Sequence, residues 1–246
     1  MDNIVEIALS ALAVLLILTI HEYSHAYAAY KLGDDTAKRL GRLTLNPLKH
    51  LDPLGAICMI FFHIGWATPV PINPRNFRKP KRDFAITALA GPLSNMIFAF
   101  FSAFLYLLLL AVFAKISFPN EFLLELVLNL LLFVFIFHQI NIGIGLFNLI
   151  PIPPLDGSRI LNVVLPPKYY FGIMKYERQI YFTLLGWLIL GNAAKRALLS
   201  LSFVASNPVL STIAGVFSLS DMLGTVILWL SDAMFSFWKL IPFLNF

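Results

Sequence analysis

The sequence predicts an all-α polytopic membrane protein with a three-helix core, a re-entrant segment, a short β-strand and further C-terminal membrane helices. Composition comes first. Of the 246 residues, 59% are hydrophobic and 13% charged, about half the charged fraction of an average soluble domain. The mean hydropathy of +0.81 agrees. The second observation is the set of uncharged runs. Residues 7–20, 84–114 and 126–155 contain no Asp, Glu, Lys or Arg, and a helix crosses the bilayer core in about 20 residues. The third is where the basic residues fall.

The net charge of +5 is 18 basic minus 13 acidic residues. A sequence pI near 9.4 in a soluble protein would suggest nucleic acid. Here the positive-inside rule accounts for it, and no nucleic-acid partner is expected. Lys31, Lys38, Arg39, Arg42 and Lys49 follow the first apolar run. Arg75, Arg78, Lys79, Lys81 and Arg82 precede the second. Arg159, Lys168, Lys175 and Arg178 follow the third, so 14 of 18 basic residues fall in three segments. Placing those segments in the cytoplasm sends helix one inward, helix two (about 84–114) outward and helix three (about 121–150) inward again. Residues 21–25 and Asp156 then reach the same depth, near the cytoplasmic side, before any motif is considered.

The remaining elements follow from shorter patterns. Residues 54–65 are too few to span and lie between basic flanks, which predicts the re-entrant segment. Residues 41–46 alternate polar and apolar side chains before a proline, which predicts a short strand beside a polar cavity. Residues 180–194 are apolar but short, residues 210–230 are long enough to span, and the aromatic-rich residues 234–246 read as interfacial. The expected division is a core over residues 1–165 and C-terminal membrane helices with an interfacial tail over 166–246. The acidic start Met1-Asp2-Asn3 carries no signal-peptide pattern, so helix one is expected to be retained. Cys58, the single cysteine, excludes an internal disulfide and a cysteine zinc cluster. Trp66, Trp187, Trp229 and Trp238 read as interface anchors.

The chemistry resides in His21-Glu22-Tyr23-Ser24-His25. Helical positions i and i+4 share a face about 6 Å apart in height, so both imidazoles reach one metal ion. Glu22 lies one step round, beside the metal, where a general base for an attacking water must stand. A catalytic zinc needs a third protein ligand. Asp156 supplies it from Pro151-Ile-Pro-Pro-Leu-Asp156-Gly157, where prolines end helix three and Gly157 is expected to adopt a backbone angle other residues resist. Ionisable groups inside a membrane helix cost about 2.5–3.5 kcal/mol each on insertion scales. His21, Glu22 and His25 together therefore argue for a metal. His50 and His63 read as packing or interfacial residues. His138 is too distant to share the metal and is expected to hydrogen-bond within the bundle.

The segments HEYSHAYAAYKLGD, NPLKHLDPLG, AGPLSN and FNLIPIPPLDG resemble the bacterial and archaeal site-2 proteases (peptidase M50), over about residues 7–165. The resemblance implies an intramembrane zinc endopeptidase with one Zn2+ on His21, His25 and Asp156, with Glu22 as catalytic acid and base. It implies substrate-binding or oxyanion contact for Asn148 and for Asn95, the latter as a polar contact near the site. The expected partners are membrane lipid and a transmembrane protein substrate, and the expected location is the cell membrane, multi-pass. The chain resembles the short form of the family, without the PDZ module. Two rival readings share the residues. A transporter or channel would place the same ionisable groups on an ion path, and inverted repeats, which would favour it, are not found. A non-proteolytic zinc-binding membrane protein would have no need of Glu22.

Overall fold

A computed structural model of the chain describes residues 2–52, 55, 67–207, 210–211 and 219–245. Three of its helices are long and apolar enough to cross a membrane: Ile4–Leu32, Pro80–Phe113 and Glu121–Leu149. They are the three helices predicted, and they form the core. Helix α1 (Asp2–Leu32) is followed by a single turn, α2 (Thr36–Arg39). Helix α3 (Pro80–Phe113) begins with proline at its first position, where a missing N–H costs nothing. The Asn120 side chain accepts from Leu123 N and caps α4 (Glu121–Leu149). Pro151 stops α4 by forcing Ile150 into an extended conformation.

The chain then turns back. Short helix α5 (Asp156–Val164) starts at the carboxylate of interest. Two more helices, α6 (Pro167–Met174) and α7 (Glu177–Leu199), follow. The α7 helix runs through Lys195 and Arg196 without a break. Leu184 of α7 packs on Leu155, with Phe147, Ile150 and Trp187 around them. Arg159 pairs with Glu177 at 2.6 Å. The C-terminal part thus supports the loop that presents Asp156. After the one-turn α8 (Ser202–Ala205), α9 (Leu219–Trp238) packs against α3 and α4. Its Ser231 hydroxyl meets His138 Nε2 at 2.9 Å, and His138 Nδ1 meets the Ala99 carbonyl at 2.8 Å. His138 is therefore a bundle residue, as expected.

Two expectations need correction. Residues 41–46 form no strand. Gly41 turns at φ +67, Arg42 N bonds back to Ala37 O at 2.8 Å, and the Thr44 carbonyl is met by His50 Nε2 at 2.8 Å. Local turns thus use the backbone groups a strand would need. Among the described residues the nearest strand-like feature is one antiparallel bridge, Leu51 with Ala67. Residues 234–238, at the start of the aromatic-rich segment, form the end of α9. There the Trp238 indole donates to Phe100 O at 2.8 Å and its ring packs against Phe100 and Phe104. Gly157 does not adopt a left-handed angle; it sits in the first turn of α5. The predicted re-entrant segment over residues 54–65, with His63, Cys58 and Trp66 in or beside it, lies outside the described residues apart from Gly55.

Candidate metal centre

Helices α1 and α3 pack antiparallel, and their register sets the site. His25 Nδ1 donates to the Thr87 carbonyl at 2.7 Å. Four residues earlier on α1 and four later on α3, His21 meets Gly91. A Cβ at Gly91 would lie 2.7 Å from His21 Cε1 and 2.6 Å from His25 Cε1, so only glycine leaves room for both rings. The rings stand edge to face at 87°, with centroids 4.6 Å apart.

Asp156 arrives from the other side. A Cβ at Gly157 would lie 2.5 Å from the Ile150 carbonyl oxygen and 2.6 Å from Leu149 C. Glycine is needed here for close approach: the first turn of α5 lies directly on the end of α4. This fold-back aims the Asp156 carboxylate at α1. His21 Nε2 and His25 Nε2 each stand 3.1 Å from Asp156 Oδ2 and 3.0 Å from each other.

The donor set fits zinc. Two imidazole nitrogens and a carboxylate oxygen converge on one point. Bonds of about 2.0–2.1 Å at tetrahedral angles would separate neighbouring ligand atoms by about 3.3 Å, close to the spacings seen. His21 and His25 are buried and Asp156 is half-buried. His25 also has the outer partner that metal-bound histidines use, the Thr87 carbonyl.

Glu22 is 9% exposed and stands beside the cluster rather than in it. Its Oε2 accepts from Val70 N at 2.9 Å. Sequence reasoning missed this contact, because a backbone N–H has no residue signature. One signal was available in Thr68-Pro-Val-Pro-Ile, where prolines at 69 and 71 leave Val70 as an isolated donor. The segment is fixed on several sides. Thr68 N donates to His50 O at 2.8 Å, Arg42 donates to Thr68 O at 2.6 Å, and Val70 packs on Ala26 and Ala37.

Asp34, also missed, is the hub of that attachment. It is fully buried. It accepts from Asn73 N at 2.7 Å, from Asn76 Nδ2 at 2.8 Å, and from the Thr36 hydroxyl and N–H. Burial would raise its carboxyl, but these donors prevail and hold it below its ordinary value of 3.8. Its stabilisation is therefore complete above that value and is lost as pH falls through the lower folded value. Asp34→Ala strands several buried donors, so it is expected to cost about 2–3 kcal/mol at pH 7. In detergent-solubilised protein the gap in thermal midpoint between wild type and Asp34→Ala should shrink as pH drops below about 3.8. A pH-independent gap would contradict this.

The other residues singled out from the sequence are Asn148, Asn95 and His50. Asn148 is half-buried on the last turn of α4, and its Nδ2 donates to Ile144 O at 3.1 Å. Asn95 is fully buried on α3, and neither amide atom has a partner. His50 is 2% exposed and ties residues 44 and 68 together through its ring and its carbonyl.

Three apolar helices around a buried His-Glu-x-x-His and carboxylate cluster define a membrane metal-site protein of a particular class. The family model for peptidase family M50 matches residues 9–178, and the chain belongs to that family. It is 48% identical over 149 residues to "Putative zinc metalloprotease YwhC" of Bacillus subtilis, a match covering 61% of this chain and 65% of that protein. It is 30% identical over 158 residues to "Putative zinc metalloprotease Rip2" of Mycolicibacterium smegmatis, covering 63% of this chain and 56% of that one. It is 28% identical over 169 residues to "Zinc metalloprotease MJ0392" of Methanocaldococcus jannaschii, covering 69% of this chain and 38% of that one. The matches thus span less than two thirds of each relative's length. No solved structure matches the chain at a significant level.

Proposed function

We propose that the protein is a zinc endopeptidase acting within the membrane, which hydrolyses peptide bonds in or near the transmembrane segments of other membrane proteins, as in regulated intramembrane proteolysis. The observation that carries this reading is the convergence of His21, His25 and Asp156 with Glu22 beside them, all on or against membrane-length helices. Family membership over residues 9–178 supports it.

His21, His25 and Asp156 would hold one Zn2+. When bound, zinc supplies Lewis acidity that polarises the scissile carbonyl and makes a water acidic near neutral pH. Glu22 takes the proton of the attacking water and later gives it to the leaving amine. The Val70 N–H holds one carboxylate oxygen and leaves the other to turn toward the water. Asn148 steadies the substrate from the end of α4. A substrate helix must unwind to present a carbonyl, since its own hydrogen bonds hide it. Residues 1–165 form the catalytic core, and residues 166–246 buttress the Asp156 loop. The distribution of basic residues argues for a cell-membrane protein with its site toward the cytoplasm.

The test uses a single-span reporter, tagged at both ends, co-reconstituted with the full chain in liposomes. Wild type is expected to release a tagged fragment. An excess of 1,10-phenanthroline should abolish release, and added Zn2+ should restore it. Release that persists through chelation would contradict the reading.

A further inference from the structure

Each metal-site histidine needs a partner for its second nitrogen, which fixes the tautomer and the ring orientation. His25 has the Thr87 carbonyl. His21 Nδ1 is buried with no partner. On α3, one helical turn beyond the Gly91 that faces His21, both amide atoms of Asn95 are also buried and unpaired. Asn95 is 0% exposed and His21 is 4% exposed. Buried polar atoms are seldom left unpaired, and a buried amide without partners calls for an explanation.

The two orphans lie about one helical turn apart along α3. His21 Cε1 faces Gly91, 2.7 Å from where a Cβ would stand, and Nδ1 is bonded to that carbon. Asn95 is one helical turn beyond Gly91 on the same face of α3. Side chains on a helix lean toward its N-terminus, so Asn95 leans back over the Gly91 turn. Its other side is closed by α4, where a Cβ at Gly145 would lie 3.3 Å from Asn95 Cβ. The absence of a side chain at position 91 leaves the approach from Asn95 to His21 open. No direct hydrogen bond joins them, and a buried water is the usual way for two such groups to be satisfied together.

We propose that Asn95 is the positioning residue for His21: through one buried water its amide oxygen receives the His21 Nδ1–H, which keeps Nε2 free for the metal. Asn95 thus acts through His21 and not on the substrate. The two histidines are held differently. His25 is held by a backbone carbonyl that substitution cannot remove, whereas His21 depends on a side chain.

This inference rests on the zinc reading of the cluster, and the experiment separates the two. Zinc affinity is measured on the full chain in detergent by competition with a chromophoric chelator, for wild type, Asn95→Leu, Asn95→Asp and Ser102→Ala. Ser102 is a buried polar control two turns further along α3. Asn95→Leu is expected to bind zinc about 10–100-fold more weakly, while the metal-free thermal midpoint stays the same or rises. A purely structural role would lower that midpoint instead. Asn95→Asp keeps an acceptor and should bind at least as tightly as wild type. Ser102→Ala should bind as wild type does. Wild-type affinity in Asn95→Leu, or equal weakening in Asn95→Leu and Ser102→Ala, would overturn the proposal alone. If Asn95→Leu fails to fold, Asn95→Asp decides, and binding more than about tenfold weaker there would overturn it. A folded wild type that binds no zinc would overturn the metal-site reading and this proposal with it.

Discussion

Glu22→Gln is expected to reduce reporter cleavage by about 10²–10⁴-fold while leaving zinc content at the wild-type level. The two side chains have nearly the same shape. The Gln carbonyl oxygen can still accept from Val70 N, the contact that Glu22 makes at 2.9 Å, so the segment across the site should keep its place. The three groups that converge on the metal position are His21, His25 and Asp156, and Glu22 is not among them. What disappears is the only feature that distinguishes the residues, a proton acceptor beside the metal. Cleavage rates in liposomes and zinc per chain on the same preparations check both halves. Activity within tenfold of wild type would remove Glu22 from its role. Loss of zinc along with activity would make it a ligand.

Gly91→Ala is expected to lower zinc affinity at least as much as the loss of an outer partner does, by about 100-fold or more. The added methyl would meet His21 Cε1 at 2.7 Å and His25 Cε1 at 2.6 Å, distances that real Cβ atoms do not tolerate. Neither ring is free to swing away, because His25 is bonded to Thr87 O at 2.7 Å and both rings meet Asp156. Either α3 retreats from α1 or the rings turn. Metal sites tolerate displacements of only about 0.2 Å. Ala is the better helix former by about 1 kcal/mol in water, so helix formation itself is not weakened. The competition assay used for Asn95 measures the effect. Wild-type affinity in Gly91→Ala would show that the α1–α3 seam is looser than described.

Much of this was legible in the sequence, for physical reasons. A membrane helix needs a long apolar run, so the three core helices were apparent from composition. Charge placement brought the level of His21 and Asp156 together because basic loops favour one side. The i, i+4 spacing named the imidazoles. Less legible were contacts made by backbone. The Val70 N–H on Glu22 and the Thr87 carbonyl on His25 could fall opposite almost any side chain. Asp34 read as an ordinary acidic residue after a helix, and only the folded loop brings Asn73 and Asn76 to it. Alternation at 41–46 misled because turn bonds from Arg42 and His50 took the backbone groups first. Gly157 was singled out for the wrong reason, since close approach and a special backbone angle look the same in a sequence. The Phe100 carbonyl that accepts from the Trp238 indole is another backbone partner that no sequence pattern marks.

The central claim is that two segments far apart in the chain make one zinc site. It is tested most directly by measuring zinc per chain in wild type and in Asp156→Ala, purified in mild detergent. About one zinc per wild-type chain and much less in the variant are expected, because a catalytic site has three protein ligands and this change removes one of them. Equal zinc in both proteins, or none in a folded wild type protected from chelators, would contradict it.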